Sequence, residues 1–129
     1  MKNYIKTVLL FIGIALSGCV QKEHEKTVTI SVNMNDVKNF ESIGIRGDFL
    51  PNRWKKTVPM TDENKDGVYE ITFTEKTAVY GIEFKFVKNN IEFELQGQNN
   101  RELVFEYKPE TIEYIATFNN NKNVKINRK

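Results

Sequence analysis

Short runs of alternating apolar and polar residues, broken by turn-forming clusters, predict an all-β protein: an antiparallel β-sandwich of about seven strands, immunoglobulin-like in outline. The stretch TVTISVNM sets Val28, Ile30, Val32 and Met34 against Thr27, Thr29, Ser31 and Asn33, the period of a half-buried strand. A helical reading fails, because no window of about a dozen residues keeps one apolar stripe at helical spacing.

The further strands follow in order as SIGIRG, VYEITFT, GIEFKFV, IEFEL, ELVFEY and TIEYIATF, each rich in the β-branched and aromatic residues that suit a pleated surface. LPNR, DENKDG, KNN, QGQNN and KPE separate them and supply the Gly, Pro, Asn and Asp that turns need. One sandwich domain is therefore expected over residues 27–118. The polar tail 119–129, NNNKNVKINRK, either adds a last edge strand through Val124 and Ile126 or frays.

Residues 1–18 are expected to be a signal peptide: Lys2 and Lys6 precede the apolar run VLLFIGIAL, and the small residues Ser17 and Gly18 lead into Cys19. LSGC matches the bacterial lipobox, which makes Cys19, the only cysteine, the expected lipidation site and the first residue of the mature chain. Acyl chains there would hold the protein on a membrane without a transmembrane helix. Residues 19–26 read as a tether, and the acidic pair Glu23 and Glu25 resembles the surface-export signal of lipoproteins in the Bacteroidetes group. The expected location is the bacterial cell envelope, lipid-anchored in the outer membrane and exposed at the surface.

Removing the signal leaves 111 of the 129 residues and takes Lys2 and Lys6 with it, so 17 basic residues face 17 acidic ones. That balance argues against a nucleic-acid partner and against an electrostatic membrane patch. With one cysteine no disulfide can form within the chain, and stability must come from the core. The single histidine, His24, lies in the tether, so no Cys–His or Ser–His–Asp constellation and no zinc ligand set can be assembled. Glu92 and Glu94 could share one side of a strand, but among 17 acids a solvated face is the simpler reading. The chain is expected to be no enzyme and to need no cofactor.

DENKDG places Asp62, Asn64 and Asp66 at alternate positions ahead of Gly67, like the opening of a calcium loop. Phe73 stands where such a loop needs a bidentate Glu, and a polar turn explains the same letters. These three residues are an incomplete calcium candidate. Trp54, the only tryptophan, sits in GDFLPNRWKK between two strand-like segments, where it serves either the core or a sugar ring. The hairpin IEFKFVKNNIEFEL leaves a second choice open. An odd loop, Lys88 to Asn90, sets Val87 against Ile91 and Lys85 against Phe93; an even loop of Asn89 and Asn90 sets Lys85 against Glu94.

In order, the chain carries the loop GDFLPNRW, the strands VYEITFT and IEFKFV, the pair Phe93-Glu94, and Asn-Asn-Arg at 99–101. This succession resembles the starch-binding domains of carbohydrate-binding module family 20 and their glycogen-binding relatives, over residues 27–118. The resemblance implies stacking of Trp54 and Phe93 on glucose rings, hydrogen bonding by Lys85 and Asn100, and bracing by Glu94 and Arg101. It favours the register that sets Lys85 against Phe93. Pro51-Asn52-Arg53 departs from the family's Leu-Gly before its Trp, and Phe93 replaces a tryptophan, which lowers stacking area. The function so implied is non-catalytic binding of a starch- or glycogen-type α-glucan by a membrane-anchored lipoprotein. It would keep the polysaccharide near the cell or present it to a partner such as a glycoside hydrolase, whose identity the sequence does not carry. The rival reading is an envelope lipoprotein that uses the same sandwich as a protein-interaction scaffold, with a degenerate sugar site.

Overall fold

Alternation along each strand sends one set of side chains inward and the other out, and two such surfaces bury each other. The structure, a computed structural model, describes residues 18–129. Apart from Gly18, the expected signal peptide lies outside the described residues. The chain forms β1 (His24–Asn33), β2 (Ile43–Gly47), a 3-10 turn (Arg53–Lys55), β3 (Val58–Pro59), β4 (Val68–Thr77), β5 (Gly81–Lys88), β6 (Glu92–Phe93), β7 (Arg101–Val104), β8 (Glu110–Thr117) and β9 (Asn120–Arg128). These make the expected all-β sandwich.

One sheet has the order β4-β1-β8-β9; the other runs β3-β2-β5-β6, with β7 on the same edge of β5 as β6 but further along it. Every ladder is antiparallel except β1 with β8, which is parallel and reached by way of the second sheet. Val28, Ile30, Val32, Ile112, Tyr114 and Ala116 face inward from the first sheet, and Ile45, Phe84, Phe86 and Leu103 from the second. Phe84 stands edge-on to Tyr114 at 5.1 Å across the sandwich.

Two element boundaries differ from the sequence reading, at β1 and β6, and the open choice at the tail is resolved as a strand. β1 starts at His24, inside the segment read as a tether, because Lys26 is buried there with three acceptors. Its ammonium donates to the carbonyls of Glu106 (2.6 Å) and Lys108 (2.5 Å) and to Glu110 Oε2 (2.7 Å). The tail forms the edge strand β9 on β8, with Val124 opposite Ala116 and Ile126 opposite Tyr114. IEFEL yields only the two residues of β6, because Leu95 turns left-handed (φ 48°) and at Glu94 the side-chain carboxylate takes the Phe86 amide in place of a ladder carbonyl, while the Glu94 amide still donates to the Phe86 carbonyl.

The β5–β6 hairpin settles the register. Asn89 and Asn90 both adopt positive φ, 52° and 63°, and the Ile91 amide donates to the Lys88 carbonyl, so the two asparagines close the turn. Ile91 then stays unpaired and 77% exposed, and the ladder resumes with Lys88 opposite Glu92 and Val87 opposite Phe93. Neither expected pairing of Lys85 occurs. The parity is that of an odd loop, which keeps Lys85 and Phe93 on the same outer face, while the pairs are displaced along the strand.

Candidate functional site

The outer face of β2 and β5 gathers most of the residues singled out from the sequence. Arg46 on β2 lies opposite Lys85 on β5, and Phe93 is opposite Val87, so all four side chains share that face by register. Arg46 organises it. Its guanidinium donates through Nε to Thr57 Oγ1 (2.9 Å), through Nη1 to the Trp54 carbonyl (3.1 Å) and through Nη2 to the Asn90 carbonyl (2.9 Å). The guanidinium carbon also sits 5.1 Å from the centroid of the Phe93 ring, a cation–π contact. One side chain therefore ties the tryptophan turn, the hairpin turn and the second aromatic together.

Trp54 is half-buried in its 3-10 turn. The Pro51-Asn52-Arg53 departure has a local role: Asn52 (φ 59°) and Arg53 (φ 47°) both turn left-handed, and the amides of Arg53 and Lys55 donate to the carbonyls of Leu50 and Asn52. Phe93 is half-buried and lines an open groove of about 360 Å³ together with Lys88, Glu92, Gln96, Gln98 and Asn119. Lys85 reaches over this edge and donates to the carbonyls of Leu95 and Gln98, each at 2.9 Å. It thus fixes the loop that walls the groove. Asn100 is exposed and lines a different groove of about 300 Å³ beside Tyr114, Asn121 and Val124. The structure brings Trp54, Lys85 and Phe93 to one neighbourhood and places Asn100 in another.

Glu94 and Arg101 brace this edge from below. They form a buried two-point ion pair, Nε to Oε1 at 2.5 Å and Nη2 to Oε2 at 2.8 Å. Glu94 also accepts from the amides of Phe86 (3.1 Å) and Asn119 (2.9 Å), while Arg101 Nη2 donates to the carbonyls of Thr117 and Asn120. Burial works against the Arg101 cation, but the hydrogen bonds and charge of Glu94 outweigh it and hold the guanidinium above its ordinary value. Burial likewise pushes the nearby Tyr114 phenol up, against the opposing pull of Arg101.

No protein-family model matches the chain, and no curated protein matches it. Among solved structures, a solution structure of the second family-25 carbohydrate-binding module of a β/α-amylase from Paenibacillus polymyxa aligns with a TM-score of 0.46 and 19% identity. The alignment covers 82% of this chain and 94% of that one.

The calcium candidate closes its own turn. Asp62 accepts from the amides of Asp66 (3.1 Å) and Gly67 (2.9 Å), and Asp66 accepts from Val68 N (2.8 Å) and the Asn64 side chain (3.1 Å). Among the described residues no group of three or more His, Cys, Asp or Glu is placed to hold a metal.

Sequence reasoning missed Arg46. Its signal was the alternation in IGIRG, which puts one cationic side chain on the outer face amid apolar and glycine neighbours. A third cleft, of about 270 Å³, was also missed; Phe49, Phe73, Ile82 and Phe105 give it an apolar lining, joined by Arg53 and Glu75. It is assembled from four separate segments, so no local motif announces it.

Chemically, the outer-face site offers a half-exposed aromatic ring beside donors with capacity to spare. A guanidinium has five N–H groups and an ammonium three. Arg46 uses three of its own internally and Lys85 two.

Proposed function

We propose that this chain is a non-catalytic carbohydrate-binding lipoprotein, and that it holds an α-glucan of the starch or glycogen type on the outer face of β2, β5 and β6. The observation that carries this reading is the convergence of Phe93, Lys85 and the turn that bears Trp54 about Arg46, which bonds the Trp54 backbone carbonyl, beside an open groove edged by Gln96, Gln98 and Glu92. A sugar ring needs an apolar face for its C–H surface and polar groups at the rim for its hydroxyls. Phe93 and Trp54 supply the first, and Lys85, Arg46 and the glutamines the second. Asn100 serves the same polymer only through a neighbouring unit, since it borders a separate groove. The single aromatic face of phenylalanine fits weak binding at each site, a mode suited to long polymers that return to the surface repeatedly.

The same proposal puts acyl chains on Cys19 and the domain on the bacterial envelope, in keeping with LSGC and the exposed residues that follow it. Glucan held this way would be presented to a partner glycoside hydrolase. A second reading, a protein-interaction scaffold with a lost sugar site, is favoured by the guanidinium of Arg46 lying over Phe93, where it occupies one ring face. Affinity gel electrophoresis in amylopectin or glycogen separates the two. Retardation of the wild type, abolished by Trp54→Ala and by Phe93→Ala, supports glycan binding. A wild type that migrates freely through a panel of glucans overturns it.

A further inference from the structure

Five of the eight large apolar side chains left exposed among the described residues lie at one end of the sandwich. They are Val20, Val79, Tyr80, Val104 and Tyr107. The backbone joins their segments: His24 pairs with Thr77 at the end of β4, Gly81 pairs with Val104, and the Phe105 amide donates to the Tyr80 carbonyl at 2.7 Å. His24 packs edge-on against Tyr107 at 4.6 Å. Val79, Tyr80, Val104 and Tyr107 are between 51% and 75% exposed, well beyond what isolated surface residues of a strand turn require.

This end is also the one nearest Cys19. The Lys22 amide donates to the Tyr107 hydroxyl at 3.0 Å, so the tether is fastened to the pole three residues after the cysteine. Three residues of extended chain reach about 10 Å. Charge at the pole is mixed: Glu106 pairs with Lys108, and Glu110 is neutralised by Lys26 and Arg128. Tyrosine has an apolar ring and a polar tip, the combination that settles at the boundary between lipid headgroups and acyl chains.

We infer that this pole, Val79, Tyr80, Val104 and Tyr107, is a membrane-contact surface that seats against the bilayer interface once Cys19 is acylated. The inference rests on the proposed lipid anchor and adds an orientation to it. Attraction is apolar, so it does not depend on anionic lipid. β5 runs from Gly81 at this pole to Lys88 beside the Phe93 groove, about 23 Å away at strand rise. The candidate glycan site therefore points away from the membrane.

The test uses the full acylated protein reconstituted with phosphatidylcholine vesicles. Flotation with the vesicles, lost in Cys19→Ala, reports the anchor alone. Docking is read by tryptophan quenching with phosphatidylcholine brominated near the top of the acyl chain, comparing wild type, whose only tryptophan is Trp54, with Trp54→Phe/Tyr80→Trp. The expected result is quenching at least about twofold greater at position 80 than at Trp54, unchanged when salt is raised. Protein that floats but shows equal quenching at both positions overturns the oriented pole and leaves the anchor standing. Quenching that disappears in high salt overturns the apolar mode of docking. Wild type that does not float overturns the anchor and the pole with it.

Discussion

Arg46 is the residue on which the outer face turns, and it makes three hydrogen bonds and one aromatic contact from a single guanidinium. Lysine cannot replace such a planar fork. Arg46→Met keeps much of the stem but removes every donor, leaving the Trp54 carbonyl to water and the Asn90 carbonyl with only the long bond from Thr57 Oγ1 (3.4 Å). The expected cost is about 1–3 kcal/mol of stability. Because Trp54 is the only tryptophan, its emission should shift to the red as the turn loosens, and retention in an amylopectin gel should fall. Unchanged emission together with unchanged retention would remove Arg46 from the site. At this scale the sequence was partly legible. Trp54, Lys85 and Phe93 were visible because strand parity and aromatic content mark outer-face residues. Arg46 was not, because its importance comes from three partners on separate segments. Lys85 was only partly legible: its charge suggested a ligand donor or an acid partner, and sequence could not show that two of its protons go to the carbonyls of Leu95 and Gln98 and brace the loop beside the groove.

The hairpin between β5 and β6 decides which face Phe93 occupies. Asn89 and Asn90 make the turn, and Ile91 is an exposed residue outside the ladder. Deleting Ile91 would leave Lys88 opposite the residue now numbered 92 across an ordinary two-residue turn. Phe93 should stay on the outer face, with stability changed by no more than about 0.5 kcal/mol in urea unfolding and glucan retention preserved. A large loss of either would show that Ile91 sets the register. Strand existence was readable throughout from the two-residue period, and boundaries were not. Lys26 looked like part of a solvated tether because sequence shows a charge without its acceptors; the three oxygens that receive its protons lie 80 to 84 residues away. β9 stayed undecided for a related reason, since its polar composition is what an edge strand and a frayed tail both show.

Across the whole molecule, two buried ion pairs fasten opposite ends of the sandwich: Glu94–Arg101 near the candidate site and Lys26–Glu110 near the tether. Burial raises the pKa of Glu110, but hydrogen bonds from Lys26, the Glu106 amide and Arg128 outweigh it and hold the carboxyl below its ordinary value of 4.5. A carboxylate whose folded pKa is depressed contributes stability that is fully present above the unfolded value and lost as pH falls through the folded one. Urea midpoints should therefore hold near neutrality and drop in acid below the ordinary glutamate range. Glu110→Gln should cost about 3–5 kcal/mol at pH 7 and flatten that acid limb. An acid limb of equal steepness in the variant would assign the drop to other groups. The sandwich itself was legible because alternation and turn chemistry are local, whereas the parallel pairing of β1 with β8 depends on a route through the second sheet. That pairing has a mechanical meaning. β1 follows the tether directly and is hydrogen-bonded on both sides, through ten pairs to β4 and eight to β8. A polymer pulling on the distal face against an anchored Cys19 would load these two ladders in shear, with all their bonds resisting together, so the strand next to the tether is the one best placed to carry tension.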